Sequence, residues 1–311
     1  MGEILTIENL TKNYGNFIAL DNLNLKIQEK TCVGFLGPNG AGKSTTIKIL
    51  TGLLHPSSGS AYIAGKDVTT QTRFALANVG VVEESPQFIP KLSAQEILFY
   101  FGSLRGMSKN DLASKIKDVL ELVHLLESSE KKVGTFSKGM NQRLALASAL
   151  LHDPSLVILD EPSLGLDPRG MIEIREIIGN LKQHGKTIFM SSHILSEVEE
   201  VCDKVAILDR GKLIRYQDVS ELAVVAKSSS IQIETIDSIS DENLTSIEKL
   251  KGVSELKKET PTSFSVKFSG NNEDRAALLD SIKQIGIKVS SFRSTKSDLE
   301  SLYMDSTSEN G

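Results

Sequence analysis

The sequence has no tryptophan, only two cysteines and no excess of basic charge. Each shortage excludes something. Cys32 and Cys202 lie far apart, each flanked by apolar residues. They cannot staple a secreted scaffold and read as buried free thiols in a reducing compartment. The longest apolar-leaning run, Leu144 to Leu151, is broken by Ser148 and falls well short of the ~18 residues that a membrane helix needs. The first residues, Met1-Gly2-Glu3-Ile4, show no basic segment followed by an apolar one, so no secretory leader is expected. Ile4, Thr6 and Glu8 alternate with Leu5 and Ile7, which predicts an edge strand with Thr6 facing outward. With 35 Lys and Arg against 40 Asp and Glu, the net charge is −5. That argues against a protein that holds nucleic acid by broad phosphate neutralisation.

What is present is a folding chain. Its 311 residues are 40% hydrophobic, enough for one large or two unequal domains. Leu23, Leu25 and Ile27 alternate with polar residues, as in a half-buried strand. Cys32 to Leu36 is a continuous apolar run, as in a fully buried one. A glycine-rich loop and a helix from Lys43 to Thr51 follow, then a hairpin strand within 57–68. From Ala94 the pattern turns helical, with Leu112, Ile116, Val119, Leu120 and Val123 on one face, and it continues through a helix from Asn141 to Leu151. Strand and helix then alternate: strands at Leu156–Leu159, Thr187–Met190 and Val205–Leu208, helices at Arg169–His184 and Ile194–Val201. Such alternation predicts an α/β unit with a mostly parallel sheet covered on both faces. Composition shifts near Ala226 to Ser230. We place the first domain at 1–226, with a helical subdomain at about 93–150, and a second domain at 230–311. The second reads strand–helix–strand–strand–helix–strand, the order of a ferredoxin-like α+β unit.

Gly37-Pro38-Asn39-Gly40-Ala41-Gly42-Lys43-Ser44-Thr45 fits G-x-x-x-x-G-K-[ST]. The residue types follow from the chemistry of phosphate. Glycines let the backbone curl so that successive N–H groups point at phosphate oxygens. The helix that follows presents its positive end. Lys43 places a charge on the β- and γ-phosphates, and the Ser44 hydroxyl ligates Mg2+. A second site is suggested where the apolar run Leu156–Leu159 ends in Asp160 and Glu161. A carboxylate at Asp160 can hold Mg2+ through its water shell. Glu161, one residue on, is placed to act as a base on the attacking water. The loop by itself does not separate ATP from GTP, or a transport ATPase from a kinase.

Together these residues resemble the ATP-binding cassette (ABC) family, in order, from Ile4 to Tyr216. Phe136-Ser137-Lys138-Gly139-Met140 is similar to the family's signature and is the most specific of the matches. The resemblance implies a P-loop ABC ATPase core using ATP and Mg2+. It implies that Tyr14 stacks on adenine, and that Ser137, Gly139 and Met140 cover the γ-phosphate bound to a second copy of the chain. Pro162 to Asp167 resembles the loop that crosses the dimer seam, and His193 the switch histidine that contacts the γ-phosphate. There are departures. Lys138 stands where many members have glycine and Met140 where many have glutamine, a pattern of exporter-like branches. Glu84, by register, stands where the family usually places a glutamine that contacts Mg2+ and water. A carboxylate there can still ligate Mg2+, beside the negative Glu161. The part from Ser230 onward is similar to the extension on ATPases of drug, antibiotic and lipid-linked polymer exporters, with Ser294 to Tyr303 as a degenerate tail.

The expected function is ATP hydrolysis that energises export through a separate permease, at the inner face of the cell membrane, with no nucleic-acid partner. Two alternatives stand beside it. One is a soluble ABC ATPase acting on ribosomes or DNA, which the single uninterrupted cassette disfavours. The other is the ATPase of an importer, which often carries a longer β-rich extension.

Overall fold

The computed structural model describes residues 2–221, 228–270 and 272–295, in two compact units, Met1–Val219 and Ser220–Gly311. The composition shift at Ala226 to Ser230 begins within residues 222–227, outside the described residues. In chain order the first unit runs β1 (Glu3–Tyr14), β2 (Phe17–Gln28), β3 (Cys32–Leu36), α1 (Lys43–Leu50), β4 (Ser58–Ile63), β5 (Lys66–Asp67), α2 (Thr72–Ala75), β6 (Val79–Val82) and α3 (Ala94–Leu104). It continues α4 (Lys109–Leu122), α5 (Lys138–Leu150), β7 (Leu156–Leu159), α6 (Pro168–Gln183), β8 (Thr187–Ser192), α7 (Leu195–Val201), β9 (Lys204–Asp209) and β10 (Lys212–Asp218).

The continuous apolar runs become the interior of a six-stranded sheet, ordered β10-β9-β3-β8-β7-β6, in which all but β10 run parallel. Strands buried on both faces cannot alternate in polarity, which is why β3 and β7 read as unbroken apolar segments and β8 has an apolar centre at Ile188–Met190. The alternating N-terminal segments form an antiparallel sheet, β2-β1-β4-β5. Here the edge-strand expectation is corrected. β1 is an interior strand, with Thr6 paired to Lys26 on one side and Tyr62 on the other, while Thr6 itself stays half-buried between the buried Leu5 and Ile7. Leu5, Ile7 and Leu10 from β1 join Leu23, Phe35, Ile158 and Phe189 in one core, with the Phe35 and Phe189 rings 5.1 Å apart. Burying side chains of that size contributes roughly 1.5–3 kcal/mol each.

The helical segment starts at a capping box. The Glu96 N–H donates to Ser93 Oγ (3.2 Å) and the Ser93 N–H to Glu96 Oε2 (2.7 Å). The Ser93 N–H and the Lys132 ammonium hold the Glu96 carboxyl below its ordinary range. Cys32 and Cys202, 170 residues apart, meet with their sulfurs 3.6 Å apart in the interior. Their hydrogen bond and burial push the Cys202 thiol upward, so it stays protonated.

The second unit comprises β11 (Ser228–Thr235), α8 (Asp241–Glu248), β12 (Val253–Thr260), β13 (Ser263–Ser269), α9 (Asn272–Gln284) and β14 (Val289–Thr295). Its sheet is antiparallel throughout, in the order β12-β13-β11-β14. Splitting β11 from β12 by β13 gives the ferredoxin-like α+β arrangement. Ile231, Ile233, Phe264 and Phe268 from the sheet share a core with Ile247 of α8 and Leu278 and Ile282 of α9. The tail from Lys296 lies outside the described residues.

Candidate functional site

The loop between β3 and α1 is shaped by its glycines. A side chain at Gly37 would meet the Leu208 carbonyl at 2.5 Å, and one at Gly42, where φ is +108°, the Ala19 carbonyl at 2.6 Å. No side chain caps α1, so its first N–H groups are open to an anion. Lys43 is 6% exposed. Its ammonium donates to the Gly37 carbonyl (2.7 Å) and the Pro38 carbonyl (3.2 Å), and lies 3.3 Å from Glu161 Oε1.

The end of β7 delivers Asp160 and Glu161, both buried. Glu161 has φ +48°, in the left-handed region that non-glycine residues rarely adopt. Its N–H donates to Ser191 Oγ at 2.9 Å, and Ser191 Oγ donates to Asp160 Oδ1 at 2.7 Å. His193, just past β8, places Nδ1 2.8 Å from Glu161 Oε2. One carboxylate thus stands between a buried ammonium and an imidazole.

These groups share a cavity of about 440 Å3, within the 300–1,000 Å3 usual for ligand sites. Pro38, Asn39, Gly40, Gly42, Lys43, Ser44 and Thr45 line it together with Glu161, His193 and Glu84. Tyr14, 49% exposed, lines it too. Gly37, Ala41 and Asp160 do not line it: each is buried, with Asp160 held behind Glu161 by Ser191. Phe17 and Leu164 also line the cavity, and the sequence reading missed both. The only sequence signal for Phe17 was an aromatic three residues from Tyr14; the structure leaves it 61% exposed. Leu164 carried none beyond its place in the Pro162–Asp167 loop.

Ser137, Gly139 and Met140 stand apart from this cavity, at the start of α5. Ser137 caps the helix, accepting the Met140 N–H at 3.2 Å. A side chain at Gly139 would meet nothing nearer than Ser137 Oγ at 4.0 Å, so the chain's own packing does not require glycine there. The Lys138 ammonium lies over Gly165, where an added Cβ would come within 2.5 Å of it. A further groove, of about 420 Å3, runs between the 85–90 segment and the start of α5, lined by Pro86, Phe88, Val133 and Phe136 among others. A more voluminous groove, about 830 Å3, lies along α6 and α7 and contains none of the groups above. Chemistry, not size, marks the site.

A sequence profile for the family described as ABC transporter matches residues 20–164. The bacitracin transport ATP-binding protein BcrA of Bacillus licheniformis is 45% identical over 69% of this chain and 69% of its own length. The linearmycin resistance ATP-binding protein LnrL of Bacillus subtilis is 30% identical over 98% of each chain. The chain belongs to the ABC transporter ATP-binding proteins. Among solved structures, a bacterial ABC transporter cassette in dimeric form superposes on this ABC ATPase with a TM-score of 0.63 at 27% identity, covering 69% of this chain and 98% of the other. The likeness to LnrL spans both units of this ABC ATPase, whereas the likeness to BcrA spans about two thirds of it. As an ABC ATPase the protein hydrolyses ATP with Mg2+. Among the described residues no helix is long and apolar enough to cross a membrane.

Proposed function

We propose that this ABC ATPase works as one of two identical copies that close on ATP and drive export through a separate permease, at the inner face of the membrane. The observation that carries this is the placement of Glu161 between Lys43 and His193 in the cavity that Tyr14 and the phosphate loop also line. In this reading Tyr14 stacks on adenine, the loop and Lys43 hold the phosphates, and Glu161 accepts a proton from the attacking water while His193 orients it. Ser44 and Glu84 reach the cavity and Asp160 stands behind it. No three His, Cys, Asp or Glu side chains among the described residues form a metal cage, which suits an ion that is bound largely through the nucleotide's phosphates. Mg2+ held by Ser44 and Glu84, with Asp160 acting through the ion's water shell, would neutralise charge on the transferred phosphate.

Ser137, Gly139 and Met140 belong, in this reading, to the second copy's nucleotide. They sit off their own cavity at a helix start with room beside Gly139, and a related cassette is solved as a dimer. The groove beside Phe88 and Phe136 suits a short permease segment, with Ile89, Phe99 and Tyr100 exposed on nearby elements. Export is favoured by the relatives named for bacitracin transport and linearmycin resistance and by the compact α+β second unit. The acidic balance disfavours a ribosome or DNA partner.

Glu161→Gln should lower ATP turnover by roughly 10²–10⁴-fold, the usual share of a general base. It should also trap an ATP-bound species of twice the mass on a sizing column. A variant that keeps hydrolysing, or stays monomeric in saturating ATP, would sink this reading.

A further inference from the structure

We infer that Ser191 is a positioning residue for hydrolysis, holding both acidic residues of the site at once through a single hydroxyl. The inference rests on the roles proposed for Asp160 and Glu161. β8 lies between β3 and β7 in the sheet, and its last ladder step with β7 pairs Met190 with Leu159. Beyond that step the Glu161 backbone turns left-handed, at φ +48°, and its N–H leaves the ladder. A main-chain N–H in the interior needs an acceptor. Ser191 Oγ is that acceptor, at 2.9 Å.

The same oxygen gives its one proton to Asp160 Oδ1, at 2.7 Å. A hydroxyl has one proton and two lone pairs, so the two bonds coexist and each fixes the other's direction. Ser191 is fully buried, and Asp160 and Glu161 are 7% and 8% exposed, so water does not compete for these bonds. A left-handed conformation in a non-glycine residue persists only where its surroundings over-determine it. From that conformation the Glu161 carboxylate reaches Lys43 at 3.3 Å and His193 at 2.8 Å.

The neighbouring serine cannot take over. Successive strand side chains point to opposite faces. Ser192 Oγ accepts the Ile194 N–H and donates to Glu197 Oε2, both at 2.9 Å, on the α7 side. The Ser192 carbonyl accepts the Gly37 N–H at 3.3 Å. The end of β8 therefore ties the start of the phosphate loop through its backbone and the acidic turn through Ser191.

Ser191→Ala and Ser191→Cys test the assignment on the full chain. Both leave the cavity lining untouched, and cysteine restores volume with only weak hydrogen bonding. Small misplacements of a reacting group slow chemistry strongly, so both variants should lose about 10-fold or more in kcat. KM for ATP and the affinity for a fluorescent ATP analogue should stay within about twofold of the parent, since no contact with nucleotide is removed. ATP-dependent pairing of each variant in the Glu161→Gln background should persist on a sizing column. An unchanged kcat in Ser191→Ala overturns the inference. So does full recovery in Ser191→Cys, which would assign the effect to packing, or a loss that falls on nucleotide affinity or pairing. Hydrolysis surviving in Glu161→Gln alone overturns instead the reading beneath it, so the two failures are separable.

Discussion

The phosphate loop and the start of α5 are both glycine-bearing entries into helices, yet they stand in opposite relations to their own chain. At Gly37 and Gly42 an added carbon would strike main-chain carbonyls of Leu208 and Ala19. At Gly139 it would meet only open space and the edge of Ser137. The first pair is demanded by how the chain packs on itself. The glycine at 139 is not required by any packing neighbour within the chain, which leaves room for the second copy's nucleotide in the proposed reading.

Substitutions can break or sharpen this contrast. Gly42→Ala places a Cβ at φ +108° and 2.6 Å from a carbonyl. It should destabilise the first unit by about 2–4 kcal/mol, read from denaturant unfolding, and abolish ATP binding. Gly139→Ala should do the reverse. Stability should hold or rise by up to about 1 kcal/mol, because alanine favours helix. Turnover should fall about 10-fold or more, as expected when a group that touches only the transition-state assembly is displaced. A Gly139→Ala chain that unfolds as readily as Gly42→Ala would erase the distinction.

His152, remote from both loops, offers a purely structural control. Burial and then the nearby Arg105 charge lower its pKa to about 4. Its Nε2 lies 3.2 Å from the Val79 carbonyl, and Nδ1 is buried without a partner. The folded state therefore resists protonation more than the unfolded one. Its contribution is complete above the unfolded pKa near 6.5 and is lost as pH falls from there toward 4. Discounted for partial exposure, the loss should be about 1–2 kcal/mol. His152→Gln should flatten that part of the stability–pH curve. The smallest effect is expected at Glu84, on the exposed rim of the cavity. Glu84→Gln should change turnover by no more than about threefold, because Mg2+ keeps several waters and needs few protein ligands. A steady-state ATPase assay checks it.

The phosphate loop was legible because everything it needs is local. Its glycines, lysine and helix start follow one another within nine residues. The buried strands were legible from their unbroken apolarity, and the second unit from its alternating periods. What escaped the sequence reading joins distant segments. β1 read as an edge strand because its second neighbour, β4, begins some 50 residues later in the chain. The meeting of Cys32 with Cys202 spans 170 residues. Ser191 lies 30 residues beyond the turn it holds, and serine in a strand carries no signal of its own. Phe17 drew no notice because an aromatic in a strand ordinarily faces the core, whereas this one is exposed.

The open face at Gly139 also bears on mixed populations of the protein. In the proposed pairing a chain altered there keeps its own phosphate loop, and the turnover it would spoil is its neighbour's. If copies pair at random from an equal mixture, only about a quarter of the pairs are wholly unaltered, and about half join one chain of each kind. If both nucleotide sites must fire for a stroke of the permease, one altered gene copy removes about three quarters of the output rather than half. Under the proposed pairing such a lesion would be dominant, because an added Cβ at position 139 meets no close neighbour and leaves the altered chain free to fold and pair.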